Sequence, residues 1–137
     1  MLEFLREQLQ TIPLFAGCSP ADLRVLAERC ELRDLAAGTT LIRAGETGDD
    51  FFVLLSGTVE RGHGHGARTL EPGGYFGELA VLDPAPRSLD VIALTACTVA
   101  VLSRENFLLV LDAVPGVVPQ LLASLARRLR TADLDRD

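Results

Sequence analysis

Pro72-Gly73-Gly74-Tyr75-Phe76-Gly77-Glu78-Leu79-Ala80-Val81-Leu82, followed after a short bridge by Pro86-Arg87-Ser88-Leu89-Asp90-Val91, is the stretch on which the reading of this chain turns. It joins a glycine-thinned backbone, one carboxylate, a short apolar turn and one guanidinium. Gly77 lets the main chain approach a bound group with no Cβ in the way. Glu78 accepts hydrogen bonds of the kind sugar hydroxyls donate. Leu79 to Leu82 suffices for one helical turn, whose first N–H groups lack intrahelical partners and favour a phosphate. Arg87 adds a planar fork that matches two phosphate oxygens, and Ser88 adds a donor beside it. The plain alternative is a surface ion pair for Arg87 and a helix-start carboxylate for Glu78. Both groups beside Gly77 and Ala80 in one short stretch favour a ligand with a sugar at one end and a phosphate at the other, a nucleotide.

In order and spacing, Phe76 to Ala80 and Pro86 to Ser88 resemble the phosphate-binding cassette of the cyclic-nucleotide-binding domains found in regulatory kinases, gated channels and bacterial transcription regulators. Further stretches extend the likeness: Ile12-Pro13-Leu14-Phe15 before Ser19-Pro20, Ala44-Gly45-Glu46 with Gly48-Asp49, Leu54-Leu55-Ser56-Gly57, and Leu125-Ala126-Arg127-Arg128-Leu129. The resemblance implies that Glu78 takes the ribose 2′-hydroxyl and that Gly77 and the Ala80 N–H line the sugar and phosphate. Arg87 then pairs with the cyclic phosphate, Ser88 completes that contact, and Phe76, Leu79 and Pro86 complete the ligand-binding set. It implies a sensor of cAMP, ahead of cGMP, whose C-terminal helix shifts on binding to regulate a protein effector. Leu125 and Arg128 are the candidate purine contacts. No catalytic residue, metal or cofactor beyond the nucleotide ligand is implied. After the Arg-Ser pair the family usually places a small residue and then Thr or Ser, where this chain has Leu89 and Asp90. In a strand following Ser88, alternation sends Leu89 to the opposite face and returns Asp90 to Ser88's side, where its charge opposes an anion. The alternative is therefore a degenerate domain that keeps the fold and serves as a ligand-free interaction module, docking a partner through its last helix.

Composition sets the wider frame. A chain of 137 residues, 48% hydrophobic and 23% charged, is read as one folded domain with its own core. No segment reaches the about 20 continuous apolar residues of a membrane span. The opening Met1-Leu2-Glu3-Phe4-Leu5-Arg6-Glu7 places acids where a secretory signal has none, so a cytoplasmic protein is expected. A net charge of -6 and a pI of 4.9 argue against nucleic acid as a direct partner. All 13 basic residues are arginine, which fits a GC-rich, bacterial genome. Cys18, Cys30 and Cys97 are odd in number and widely spaced, so neither a disulfide framework nor a zinc site is signalled, and they are read as buried thiols.

The chain divides into N-terminal helices over 1–30, a β region over 31–102 holding the cassette at 73–90, C-terminal helices over 103–132, and a polar tail at 133–137. Leu2, Leu5, Leu9 and Ile12 recur at helical spacing, and Ser19-Pro20 caps a second helix from Pro20 to Arg29 that buries Leu23, Leu26 and Ala27. Strands are expected at 31–35, 39–42, 51–55, 59–61, 68–70, 88–94 and 97–102, separated by turn residues. This pattern reads as mainly β with flanking helices: an antiparallel eight-stranded jelly-roll β-barrel. Ser103 caps a helix with Phe107, Leu108 and Leu111 on one side, which Pro115-Gly116 ends. A last helix from Val118 to Arg130 carries Val118, Leu121, Leu122, Leu125 and Leu129 as a stripe, which serves as a ligand lid or pairs two copies as a homodimer. Its closing arginines suit the helix dipole. With no DNA-reading helix-turn-helix in view, the expectation is a stand-alone sensor of 1–137 as a single domain.

His63, His65, Glu71 and Gly77 are spaced much as in the first motif of the cupins, metal enzymes with a jelly-roll architecture. Alternate histidines on a strand share a face and can ligate one metal. Gly62, Gly64 and Gly66 instead mark a solvated hairpin tip, and no third histidine follows. Nucleophilic catalysis has no support, since Ser88 has no histidine nearby in sequence.

Overall fold

The computed structural model describes residues 2–62 and 64–136, the last six by their backbone alone. The chain forms two compact units, Met1–Glu28 with Leu109–Asp137, and Arg29–Leu108.

In the first unit, α1 (Leu2–Gln10) buries Leu5 and Leu9. A 3-10 turn at Pro13–Phe15 follows, opened by a proline that has no N–H to leave unsatisfied. Next comes α2 (Pro20–Arg29). Its start is a reciprocal cap: the Asp22 N–H donates to Ser19 Oγ at 3.1 Å and the Ser19 N–H donates to Asp22 Oδ2 at 3.2 Å.

The second unit holds eight strands: β1 (Glu31–Leu35), β2 (Thr40–Ile42), β3 (Phe51–Ser56), β4 (Val59–Arg61), β5 (Arg68–Leu70), β6 (Tyr75–Phe76), β7 (Val91–Ala93) and β8 (Cys97–Leu102). They form two antiparallel four-stranded sheets, in the orders β1-β8-β3-β6 and β2-β7-β4-β5. Alternation along β3 and β8 sends Phe52, Leu54, Cys97, Val99 and Val101 into a core shared with Phe76. The other sheet meets this core with Ile42, Val59, Val91 and Ala93. On the opposite face of β3, the Phe51 ring lies 5.7 Å from that of Tyr75 and 4.5 Å from that of Phe107. The β3–β4 turn requires glycine at 57. Its φ is +86°, and a Cβ there would collide with Ala96 O and approach Cys97 Sγ to 2.7 Å.

Among the described residues the eight strands remain two sheets, not the closed barrel expected from their number. At two to five residues each, the edge strands end before a second ladder can form. β6, only two residues long, lies hidden in the glycine-rich run, while β7 starts at Val91 and not at Ser88.

The flanking helices also differ in detail. The cap of α4 (Arg104–Ala113) is as expected, with the Asn106 N–H donating to Ser103 Oγ at 3.2 Å. Its buried side, however, is Phe107 and Val110, continued by Val114, and Leu108 is exposed. The last helix, α5 (Val117–Arg136), runs past Arg130 because no glycine or proline interrupts residues 131–136. Val117 and Leu121 are buried, Leu125 is half-buried, and Leu122 and Leu129 face solvent, so the apolar stripe is only partly used. The break between α4 and α5 packs tightly within its unit: a Cβ on Gly116 would sit 2.9 Å from Gly17 O. Among the described residues no single helix is long and apolar enough to cross a membrane.

Candidate ligand-binding site

The site starts where β6 ends. The Phe76 ring stacks on Phe52 at 4.9 Å in the core, and the chain then turns sharply at Gly77. Gly77 has a φ of +91°, and a Cβ there would come within 2.6 Å of Asp50 O, so only glycine fits. It opens α3 (Glu78–Leu82), a single turn held down by buried Ala80 and Val81, with Leu79 and Leu82 exposed. Glu78 is 2% exposed, the one charged residue buried among the described residues. A buried carboxylate is costly unless it is paired or hydrogen-bonded.

After α3 the chain runs extended, and its backbone is stitched to the loop between β2 and β3. The Arg87 N–H donates to Glu46 O at 2.9 Å, and the Gly45 N–H donates to Arg87 O at 2.8 Å. The guanidinium is fixed as well: Nη1 donates to Gly77 O at 3.2 Å and Nη2 to Asp50 O at 2.9 Å. Burial lowers the Arg87 pKa from its ordinary value, while the negative charges of Asp50, Asp49 and Glu78 pull the other way. A guanidinium carries more N–H donors than two carbonyls use, so donors remain for a further acceptor.

A cavity of about 350 Å³ opens between these elements. Phe76, Gly77, Glu78, Leu79, Ala80, Pro86, Arg87 and Ser88 all line it. The structure thus gathers into one concave surface all eight residues singled out in the cassette. Ile42, Arg61, Leu89 and Val91 line it too, and the sequence reading missed them. A signal for Arg61 existed: in β4 it stands two positions after Val59, hence on the same inward face. Leu125 and Arg128 are half-buried on α5, in the other compact unit.

The two residues after Ser88 reverse their expected places. Residues 84–90 are not a strand, so alternation does not govern them. Leu89 lines the cavity, whereas the Asp90 carboxylate accepts the Ala44 N–H at 2.7 Å and serves the β2 end as a cap. Of the cupin-like residues, His63 lies outside those described. His65 is exposed in a 3-10 turn, and the Glu71 carboxylate accepts from Thr58 Oγ1 at 3.4 Å. Among the described residues no group of three or more potential metal ligands assembles. Cys97 is buried, but Cys18 and Cys30 are only partly so.

Two antiparallel sheets, flanking helices and a cassette wrapped around a largely apolar cavity that Glu78 and Arg87 also line define a class of ligand-binding domain, and the comparison with known families agrees. Residues 32–113 match the cyclic nucleotide-binding domain, and the chain belongs to that family. The cyclic AMP receptor protein of Thermus thermophilus is 35% identical over 131 residues, 91% of this chain and 61% of that protein. The cAMP-dependent protein kinase regulatory subunit of Colletotrichum orbiculare is 33% identical over 119 residues, 85% of this chain and 29% of the subunit. Among solved structures, the catabolite activator protein of Thermus thermophilus superposes with a TM-score of 0.82 at 34% identity, covering 91% of this chain and 62% of that one. The chain thus spans less than two thirds of these relatives, which are named as receptor and regulatory proteins.

Proposed function

We propose that the chain binds a purine cyclic nucleotide in the cassette cavity and acts as a sensor through it. The observation that carries this reading is the convergence of a buried carboxylate, Glu78, and a guanidinium held by two carbonyls, Arg87, on one cavity of about 350 Å³. Glu78 accepts the ribose hydroxyl. Arg87 takes the phosphate, with Ser88 and the Ala80 N–H beside it, while Phe76, Gly77, Leu79 and Pro86 shape the walls. cAMP is the messenger carried in the names of both relatives, and none of these contacts depends on the base. The strand orders β1-β8-β3-β6 and β2-β7-β4-β5 support reading the sheets as a jelly roll.

The signal leaves through α5, with Leu125 and Arg128 as the purine-side contacts. Exposed Leu122 and Leu129 offer an apolar surface to a protein effector or a second copy. Any shift of that helix is limited by how strongly the ligand prefers one arrangement over the other. The net charge of -6 supports a protein as the effector in place of nucleic acid.

Calorimetry and thermal unfolding with cAMP and cGMP test this. A ligand at about 100 times its dissociation constant adds about 2.7 kcal/mol to stability. Arg87→Ala is expected to cost about 2 to 5 kcal/mol of binding, on the order of thirty- to several-thousand-fold in affinity. An unchanged affinity in that variant would remove Arg87 from the site. No stabilisation of the parent by either nucleotide would leave an interaction module in place of a sensor.

A further inference from the structure

A second groove, of about 600 Å³, adjoins the cassette cavity within the second compact unit. Ala80, Ala85 and Pro86 line both, so a thin wall of chain separates them. Thr47, Gly48 and the run from Pro84 to Pro86 are exposed along the groove, which makes it an open trough and not an enclosed pocket. The basic residue in its lining is Arg104, the first residue of α4. That side chain is half-buried, and its Nε is shut off from solvent with no hydrogen-bond partner among the described residues. A buried donor left unpaired is costly, and in native proteins such a group calls for an acceptor. The groove also holds one carboxylate, Asp49, whose negative charge bears on Arg87. Gly48 lies between these neighbours and packs on the same guanidinium, since a Cβ there would sit 3.3 Å from Arg87 Nε.

We propose that this groove docks an extended acidic segment of a protein partner, with Arg104 gripping its carboxylate, and that a nucleotide in the cassette loosens the hold. A guanidinium fork matches a carboxylate bidentately, and such pairs are stronger than hydrogen bonds between neutral groups. A trough open along its length takes a chain laid lengthwise. Pro84 and Pro86 offer that chain no N–H, so an acidic side chain supplies the anchor. The coupling follows from charge, and for that part only the inference rests on the nucleotide reading above. A phosphate on Arg87 brings negative charge to the thin wall and competes with Asp49 for the guanidinium, so both then oppose a carboxylate in the groove. By reciprocity, a docked segment weakens the nucleotide to the same degree.

The experiment is a nuclear magnetic resonance titration of the full chain, at constant ionic strength, with three probes: a capped pentapeptide with aspartate at the centre of four alanines, its asparagine counterpart, and sodium acetate. The aspartate peptide is expected to shift the Gly48 and Arg104 signals and to bind about tenfold more tightly than the other two. Saturating cAMP should weaken it about fivefold, the low end of the usual range for coupled sites. Arg104→Gln, which keeps a donor and removes the charge, should abolish the difference between the two peptides. It should leave cAMP affinity as in the parent, because Arg104 does not line the cassette cavity. Equal affinity of the parent for the two peptides overturns the docking, whether or not the variant folds. Acetate that binds as tightly as the aspartate peptide also overturns it, leaving an adventitious anion only. If cAMP binds and the peptide affinity does not change, the coupling is overturned. A parent that binds no nucleotide refutes the sensor reading and the coupling with it, while the peptide comparison still decides the docking.

Discussion

The two sheets that face each other across the core are built differently. β3 and β8, at the centre of one, are six residues long and almost wholly buried, and Phe51 on the outer face of β3 is covered by Tyr75 and Phe107. The other sheet consists of three-residue strands, in which Leu41 and Leu70 are only partly buried against the core. The thick sheet carries the fixed end of the site, since the carbonyls that seat the Arg87 side chain come from Asp50, just before β3, and Gly77, just after β6. The thin sheet supplies Ile42, Arg61 and Val91 to the cavity wall. One cavity is thus walled by a long-stranded, well-buried sheet and by a short-stranded, less buried one.

The strongest way to break this contrast is to empty each wall. Phe51→Ala, at a fully buried ring between two others, is expected to destabilise the fold by about 3 to 5 kcal/mol. Leu41→Ala on the thin sheet should cost about 1 kcal/mol, because that side chain is only partly buried. Urea unfolding of both variants decides it, and equal losses would abolish the distinction. Next in size is Gly77→Ala, which forces a side chain into a φ of +91° and within 2.6 Å of Asp50 O. A loss of about 1 to 3 kcal/mol is expected. Because the same turn seats Arg87, nucleotide affinity should fall in titrations even where the variant remains folded.

The smallest effect sharpens the picture at the margin of the thick sheet. Cys30 lies just before β1, and burial raises its thiol pKa from 9.0 to about 12. As pH rises, the unfolded chain gives up this proton first, and the folded chain keeps it until about 12. The contribution to stability is therefore complete below the unfolded value and is lost as pH rises through this window. Melting temperatures of the parent should fall more steeply than those of Cys30→Ala above about pH 8.5. Parallel curves would show that this thiol is not shielded.

The cassette was legible because each of its residues has a chemical reason to stand at its own position, and those reasons survive without knowledge of the rest of the chain. The strand core was legible for a related reason: alternation in Phe51–Ser56 and Cys97–Leu102 is long enough to be seen. What escaped was set by tertiary contact. Asp90 looked like a charge opposed to the ligand, yet its carboxylate caps the Ala44 N–H, 46 residues away along the chain. Leu89 faces the cavity because main-chain bonds to Gly45 and Glu46 keep this segment out of strand geometry. The covered side of α4 was misplaced because Leu108, Val110 and Leu111 are nearly equivalent by pattern, and only packing ranks them. Arg61 had a signal, its parity with Val59, but a lone arginine at a strand end reads as solvated until the cavity is seen.

Arg87 is tethered at both main chain and side chain by the protein's own atoms, through Gly45, Glu46, Asp50 and Gly77. Recognition then does not wait for this side chain to find its place, and little conformational freedom is lost at the moment of capture. A nucleotide held as proposed would then differ between variants mainly in how fast it escapes, the quantity that changes in the cavity lining are best placed to tune.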